Sequence, residues 1–241
     1  MSQVIDLLSR PVYGFQQVDE LLGLYPGTSR RWIDGYERGK KRYAPVIREA
    51  STGDEAVTWG EFVETRLLAQ YRDQGVPLIH MRPAIEALRE ELNVKYPLAS
   101  AKTWLAADGR ELVGRMQHQV GLQGPLLLVF TVRTGQTRMD WTPPADAFRR
   151  SIEWTTDHQD AQPRLVHPDV DLDRVQIDPL RGFGEPVVRG VRTEIINELF
   201  RAGETPDGIA ETYELEPEAV LQALRYEARR ASGVAAETIA A

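Results

Sequence analysis

Three observations predict an α+β fold. Apolar residues recur at helical spacing near both ends, first as Val18, Leu21 and Leu22 and later as Ile195, Ile196, Leu199 and Phe200. Between them the pattern shifts toward a period of two, where Leu112, Met116, His118 and Val120 stand among polar residues and an apolar run extends from Leu126 to Val132. Gly and Pro punctuate the joints throughout. With 241 residues the chain has material for two or three modest cores. We divide it into 1–110, a central β-rich 111–173, and 174–241.

Tyr13 to Tyr36 reads as helix, tight turn, helix. Val18, Leu21 and Leu22 line the first helix, Gly23 to Gly27 turn the chain, and Thr28 is placed to cap a second helix bearing Trp32, Ile33 and Tyr36. A strip with Gly39 and Pro45 follows, Glu37-Arg38-Gly39-Lys40-Lys41-Arg42-Tyr43, shaped for a wing along a phosphate backbone. Thr58-x-x-Glu61 forms a capping box for a helix that Gly75 ends, and Ile85, Leu88 and Leu92 mark another helix after Pro83. The middle predicts a small sheet of at least three strands, with Thr134-Gly135 turning into Thr137 to Trp141 and Pro143-Pro144 at the exit.

From Arg174 a loop rich in Gly and Pro, running through Ile177-Asp178-Pro179 and Gly184 to Thr193, enters three short helices. Thr193 is placed to cap the first, with Gly203 at its C-terminal end. Thr205-Pro206 opens the second, with Ile209, Ala210 and Tyr213 inward, and Pro217 opens the third, with Val220, Leu221 and Leu224. Such short joints predict a trihelical, helix-turn-helix-like domain.

Chemistry is narrowed by what is missing. There is no cysteine, which removes disulfides, thiolate metal sites and thiol catalysis and fits a reducing cytoplasm. No apolar run approaches the ~20 residues of a membrane span, so we expect a soluble, cytoplasmic protein. Asp169-x-Asp171-x-Asp173 begins like a calcium loop but has Leu180 where a bidentate Glu belongs. Gly182-x-Gly184 has Val187 at the third glycine position of a dinucleotide loop. No histidine pair has ligand spacing and no Ser lies in a Gly-x-Ser-x-Gly turn. We expect no catalytic residues, metal or cofactor. The five tryptophans read as core or interface.

The net charge of −7 conceals an asymmetry. Thr28 to Arg48 holds seven basic residues against Asp34 and Glu37, whereas Glu194 to Arg230 holds nine acids and four Arg. A footprint for phosphate lies near the N-terminal end and not in the C-terminal helices.

Two resemblances add to this. On Val18, Leu21-Leu22, Thr28-Ser29-Arg30-Arg31-Trp32 and Thr58-Trp59-Gly60-Glu61-Phe62, residues 13–110 resemble the MerR-like winged helix-turn-helix family. That resemblance implies operator DNA contact by Thr28, Ser29, Arg30, Arg31, Arg38, Lys40, Lys41 and Arg42, the second helix entering a major groove and the wing meeting flanking phosphates. A two-fold operator implies a homodimer.

The last third keeps Asp178-Pro179, Gly184, Pro186-Val187-Val188, Gly190, Arg192, Ala202-Gly203, Ile209-Ala210 and Tyr213. It resembles a family of small bacterial domains of formally unknown function that occur as VapB-like antitoxins beside PIN-domain ribonuclease toxins, departing from the pattern at Glu185 and Val191. The resemblance implies a toxin–antitoxin partner bound through Arg189, Arg192, Arg225, Arg229 and Arg230. The alternative is a MerR-like transcriptional regulator with a small-molecule effector and no toxin partner.

Overall fold

The computed structural model describes residues 6–72, 77–106, 108–122, 124–134, 136–155 and 161–240. Gly75, expected to end a helix, and Gly135, expected in a turn, lie outside the described residues. The protein is mixed α and β, in two compact units: Met1–Arg150 with Trp154–Pro163, and Ser151–Glu153 with Arg164–Ala241. The stretch 111–173, expected as one central region, is shared between them. Among the described residues no helix is long and apolar enough to cross a membrane.

The first unit starts with β1 (Pro11–Gly14), α1 (Phe15–Leu22), α2 (Thr28–Ile33), β2 (Tyr36–Arg38), β3 (Lys41–Tyr43) and β4 (Ala56–Thr58), with β1 paired to β4 and β2 to β3, both antiparallel. Helix α2 stops at Ile33, so Tyr36 belongs to a strand and not to the helix expected for it. Gly35 makes this turn. Its φ is +77, and a Cβ there would lie 2.5 Å from the Tyr43 carbonyl oxygen, so no other residue fits without displacement.

Helix α3 (Trp59–Tyr71) opens on the capping box the sequence predicts: the Thr58 side chain accepts from the Glu61 N–H, and the Glu61 carboxylate accepts from the Thr58 N–H. It is buried nearly all round, with Trp59, Phe62, Val63, Leu67, Leu68 and Tyr71 fully enclosed. The Trp59 indole donates to the Pro163 carbonyl at 2.7 Å. Helices α4 (Arg82–Leu92), α5 (Ala101–Trp104) and α6 (Gly109–Gln119) follow, then the hairpin β5 (Val129–Thr134) and β6 (Gln136–Trp141), and α7 (Pro143–Arg150).

Of residues 112–120, expected as strand, 112–119 are helical instead and Val120 is the C-cap. Leu112, Val113 and Met116 are the buried positions, a one-and-four spacing on a single helix face, and Gln117 bonds the Val129 carbonyl and the Leu128 N–H. The central sheet of three or more strands is a two-stranded hairpin in this unit. Trp104, Trp141 and Phe148 meet in its core, Trp104 lying 4.8 Å from Trp141 and 5.0 Å from Phe148.

The second unit is built on a five-stranded sheet in the order β11-β10-β9-β8-β7, from β7 (Ile152–Trp154), β8 (Pro163–Val166), β9 (Gln176–Ile177), β10 (Pro186–Val188) and β11 (Val191–Arg192). Helices α8 (Thr193–Arg201), α9 (Pro206–Thr212) and α10 (Pro217–Ala240) complete it. Leu172, Val175, Val188, Ile196, Ile209, Val220, Ala223 and Tyr226 form one core joining sheet residues to all three helices. Thr205 caps α9 by accepting from the Gly208 N–H, as predicted. Phe200 and Tyr213, expected inward, stand 45% and 36% exposed.

Candidate nucleic-acid interface and partner loop

Helix α2 is positioned by a carboxylate. Asp19, buried on α1, accepts from the Gly27 N–H at 2.6 Å and the Ser29 N–H at 2.7 Å, so the amino end of α2 already holds an anion and offers no vacancy to a phosphate. Its N-cap is Gly27 (φ +78) and not Thr28, which is the first helical residue.

Two of the expected DNA-contact residues are withdrawn by burial. Ser29 is fully buried with its hydroxyl donating to the Phe15 carbonyl at 2.9 Å, and Thr28 is 8% exposed with its hydroxyl accepting from Arg31 at 2.9 Å. The Ser29 bond ties α2 to the start of α1. Arg30 and Arg31 remain exposed, Arg30 paired with Glu55 and lying 4.9 Å over the Phe15 ring.

The cations of the strip converge on one hairpin. Strands β2 and β3 pair Tyr36 with Tyr43, Glu37 with Arg42 and Arg38 with Lys41, across a two-residue turn of Gly39 (φ +63) and Lys40. Because side chains alternate along a strand, Tyr36, Arg38, Lys41 and Tyr43 share one face and Glu37 and Arg42 share the other. The two tyrosine rings stack with centroids 4.5 Å apart and planes 3° from parallel, and Lys41 Nζ lies 4.9 Å over Tyr43. Arg42 lies 3.9 Å from Glu37. An exposed aromatic and basic face therefore stands apart from a partly neutralised one. The signal for it was the mirrored string Tyr-Glu-Arg-Gly-Lys-Lys-Arg-Tyr, which reads as a hairpin once Gly39 is taken as its turn.

The root of this hairpin is locked by Arg48. Its guanidinium bonds Asp34 (2.8 Å), Glu61 (2.7 Å), Thr52 (2.7 Å) and the Asp54 and Ala56 carbonyls. Burial disfavours the Asp34 carboxylate, but donation from the Thr52 N–H, Arg48 and the Gly53 N–H outweighs it and holds Asp34 at about 2. Asp34 also C-caps α2, so helix, hairpin and the 51–54 loop are tied at one point.

In the second unit the loop 178–192 carries the other candidates. Gly182, Phe183 and Gly184 have φ of +56, +57 and +77 in succession, and Phe183 is 91% exposed, with Leu180 nearby in sequence at 54%. A left-handed phenylalanine costs on the order of 1–2 kcal/mol, and its exposure recovers nothing within the chain. Sequence reasoning overlooks it, since a Phe between two glycines has no periodicity. Arg189 (φ +49) and Gly190 (φ +90) form the two-residue turn between β10 and β11, presenting Arg189 at its tip.

Three of the other arginines have acidic partners. Arg192 lies 3.8 Å from Glu194, Arg225 bonds Glu218 at 3.1 Å and Arg229 pairs with Asp169. Arg230 is half-buried. Thr193 does not cap α8; its hydroxyl donates to the Glu227 carboxylate at 2.5 Å, with the Pro186 carbonyl oxygen 3.4 Å away, fastening the start of α8 to α10.

With this geometry in hand, the kinship is clear at two levels. Residues 175–226 match the family described as "Protein of unknown function (DUF433)", which covers the loop and all but the end of the helical module. Over 234 residues, 92% of each chain, the protein is 36% identical to "Uncharacterized protein Rv2308" of Mycobacterium tuberculosis, and it belongs to the family of that protein. It is 28% identical over 229 residues to "Putative antitoxin VapB45" of the same organism, covering 89% of this chain and 92% of the relative. The crystal structure of Rv2018 from Mycobacterium tuberculosis superposes with a TM-score of 0.69 at 25% identity, over 89% of this chain and 97% of that one.

Proposed function

We propose that the protein is the antitoxin of a toxin–antitoxin pair. It neutralises a PIN-domain ribonuclease by direct binding and represses its own operon through operator DNA. It is a cytoplasmic homodimer and no enzyme. The relationship to "Putative antitoxin VapB45", which runs through both units and not only the DUF433 segment, is the observation that carries this reading.

Each interface has the physical character its task requires. The partner loop displays an apolar anchor, Phe183, held by a strained backbone, and carries the exposed Arg189 and Arg192 six and nine residues further on, a combination that suits a protein pocket lined by acids. Arg225, Arg229 and Arg230 on α10 are the further candidates for the toxin contact. For DNA, Arg30 and Arg31 on α2 are the outward groups, and Arg38, Lys40, Lys41 and Arg42 on the hairpin meet phosphates as a wing.

The test is inhibition of the ribonuclease encoded beside the gene. The full chain should abolish RNA cleavage at one-to-one stoichiometry, and Phe183→Ser with Arg189→Ala should weaken the complex about a hundredfold, the scale of one or two interface hot spots. Full cleavage in the presence of excess wild-type chain sinks the proposal.

A further inference from the structure

A cavity of about 470 Å³ opens in the first unit beside the Arg48 lock, between β1, the segment 47–54, β4, the start of α3, Arg89 on α4 and the Lys95-Tyr96 turn. That volume falls within the range of small-molecule sites. Its apolar wall includes Pro11, Ile47 and Ala56, and Tyr96 is seated against α3 because Gly60 has no side chain to obstruct the ring.

Most polar groups around the cavity are already satisfied. Arg48 is spent on Glu61 and Asp34, Glu61 also accepts from the Thr58 N–H, and Thr58 bonds the Tyr96 hydroxyl at 3.0 Å. Two cations are different. The Arg89 side chain is only 11% exposed, yet its Nε and Nη2 go to the neutral carbonyls of Lys95 and Ile47, and its nearest ion-pair carboxylate is the 75% exposed Glu49 at 3.8 Å. Lys95 Nζ lies 4.9 Å over the Tyr96 ring and bonds the Tyr96 side chain, again a neutral partner. The buried Glu64 senses Arg89 but does not neutralise it, since burial pushes that carboxyl up to about 8. A largely desolvated guanidinium whose ion pair is a 3.8 Å contact with an exposed carboxylate is under-compensated.

We propose that this cavity binds a small organic carboxylate, its anionic end on Arg89 and Lys95 and its apolar body against Pro11, Ile47 and Ala56. A monoanion fits better than a phosphate dianion because Glu49, Asp54 and Glu61 also line the space. Occupancy has a route outward. The N–H groups of Val46 and Ile47 donate to the Trp32 carbonyl and that of Arg48 to the Ile33 carbonyl, so the cavity wall is bonded to the end of α2. The site stands whether or not the chain has a toxin partner; only an effect on operator affinity rests on the DNA-binding reading.

The experiment is a titration of the full-length ¹⁵N-labelled chain with acetate, butyrate and benzoate. Each is matched by its amide and by inorganic phosphate at constant ionic strength. Saturable shifts are expected at Ala56, Tyr96 and the Arg89 Nε with at least one carboxylate, continuing into Val46 to Arg48, and none with the amides. Arg89→Gln should raise Kd about tenfold or more, the loss of a charge-assisted bond. Since Arg89 also supports two backbone carbonyls, Lys95→Met provides a second variant with little bearing on the fold, and it should weaken binding in the same direction.

The site is overturned if no carboxylate saturates, if amides or phosphate bind equally, or if Lys95→Met leaves Kd unchanged. Shifts that stop short of Val46 to Arg48 overturn the route to α2 while leaving the site. Failure to bind any duplex counts against the operator reading alone.

Discussion

Glu64 is fully enclosed on α3, with Oε1 accepting from the Leu98 N–H at 2.9 Å and Oε2 without a hydrogen-bond partner. Burial raises its pKa to about 8, against the opposing bond from Leu98 and the charge of Arg89. The folded state thus holds a proton that the unfolded chain releases near the ordinary value of 4.5, and stability falls as pH climbs through the window between these values. Glu64→Gln keeps the acceptor and removes the titration. Its Tm relative to wild type should therefore rise steadily from about pH 5 to about pH 8, measured by thermal denaturation; a pH-independent difference would show that the carboxyl is charged throughout. Asp34 works with the opposite sign. Its stabilising contribution is complete above about 4 and lost as pH falls through about 2.

At the scale of elements, the β2–β3 hairpin divides its cations by face. If its aromatic face meets nucleic acid, Arg38→Ala with Lys41→Ala should flatten the dependence of log affinity on log salt by roughly 0.9 for each phosphate that is no longer neutralised. Arg42→Ala, whose side chain already faces Glu37, should change it less. Equal slopes in both variants would remove the face distinction. Gly35→Ala tests the turn that separates α2 from this hairpin: a positive φ and a 2.5 Å approach to the Tyr43 carbonyl together should cost about 2 kcal/mol or more, read as a fall in the denaturant midpoint. The helical module has a similar dependence on its sheet. A fragment of residues 163–241 retains β8, whose Val166 pairs with Ile177, and the buried Leu172, whereas 174–241 lacks both. The longer fragment should unfold cooperatively by circular dichroism and the shorter at a distinctly lower temperature.

For the whole molecule, charge separates the two proposed tasks. The basic run lies in the first unit and the acidic helices in the second, so the overall −7 neither forbids DNA contact nor favours it along the C-terminal module. A six-residue α2 with its first two residues buried offers few base contacts, which makes a two-fold arrangement on a palindromic operator the expected way to gain affinity. Equilibrium sedimentation at micromolar concentration should give a mass near 54 kDa, about twice the 27.2 kDa of one chain. A monomer both free and on DNA would remove the dimer from the proposal.

Features closed within about four residues were legible in the sequence. The Thr58-Glu61 capping box, the Thr205 cap and Pro217 as the start of α10 each depend on neighbours along the chain, so residue type alone determined them. The run from Arg38 to Arg42 likewise announced a basic strip before its hairpin was seen. What the sequence left open depends on distant partners. Residues 112–119 are helix because Leu112, Val113 and Met116 find cover on one side, and strands as short as β9 and β11 exist only through pairing. Ser29 and Thr28 looked available for DNA but are buried, Ser29 held by Asp19 and the Phe15 carbonyl, while Phe200, Tyr213 and Phe183 proved to stand in solvent. The carboxylate cavity is assembled from β1, the 47–56 segment, α4 and Tyr96, none of which marks it alone. Local torsions and caps are properties of the chain, whereas burial and unsatisfied charge are properties of whichever surface comes to lie opposite, and only the folded protein decides that.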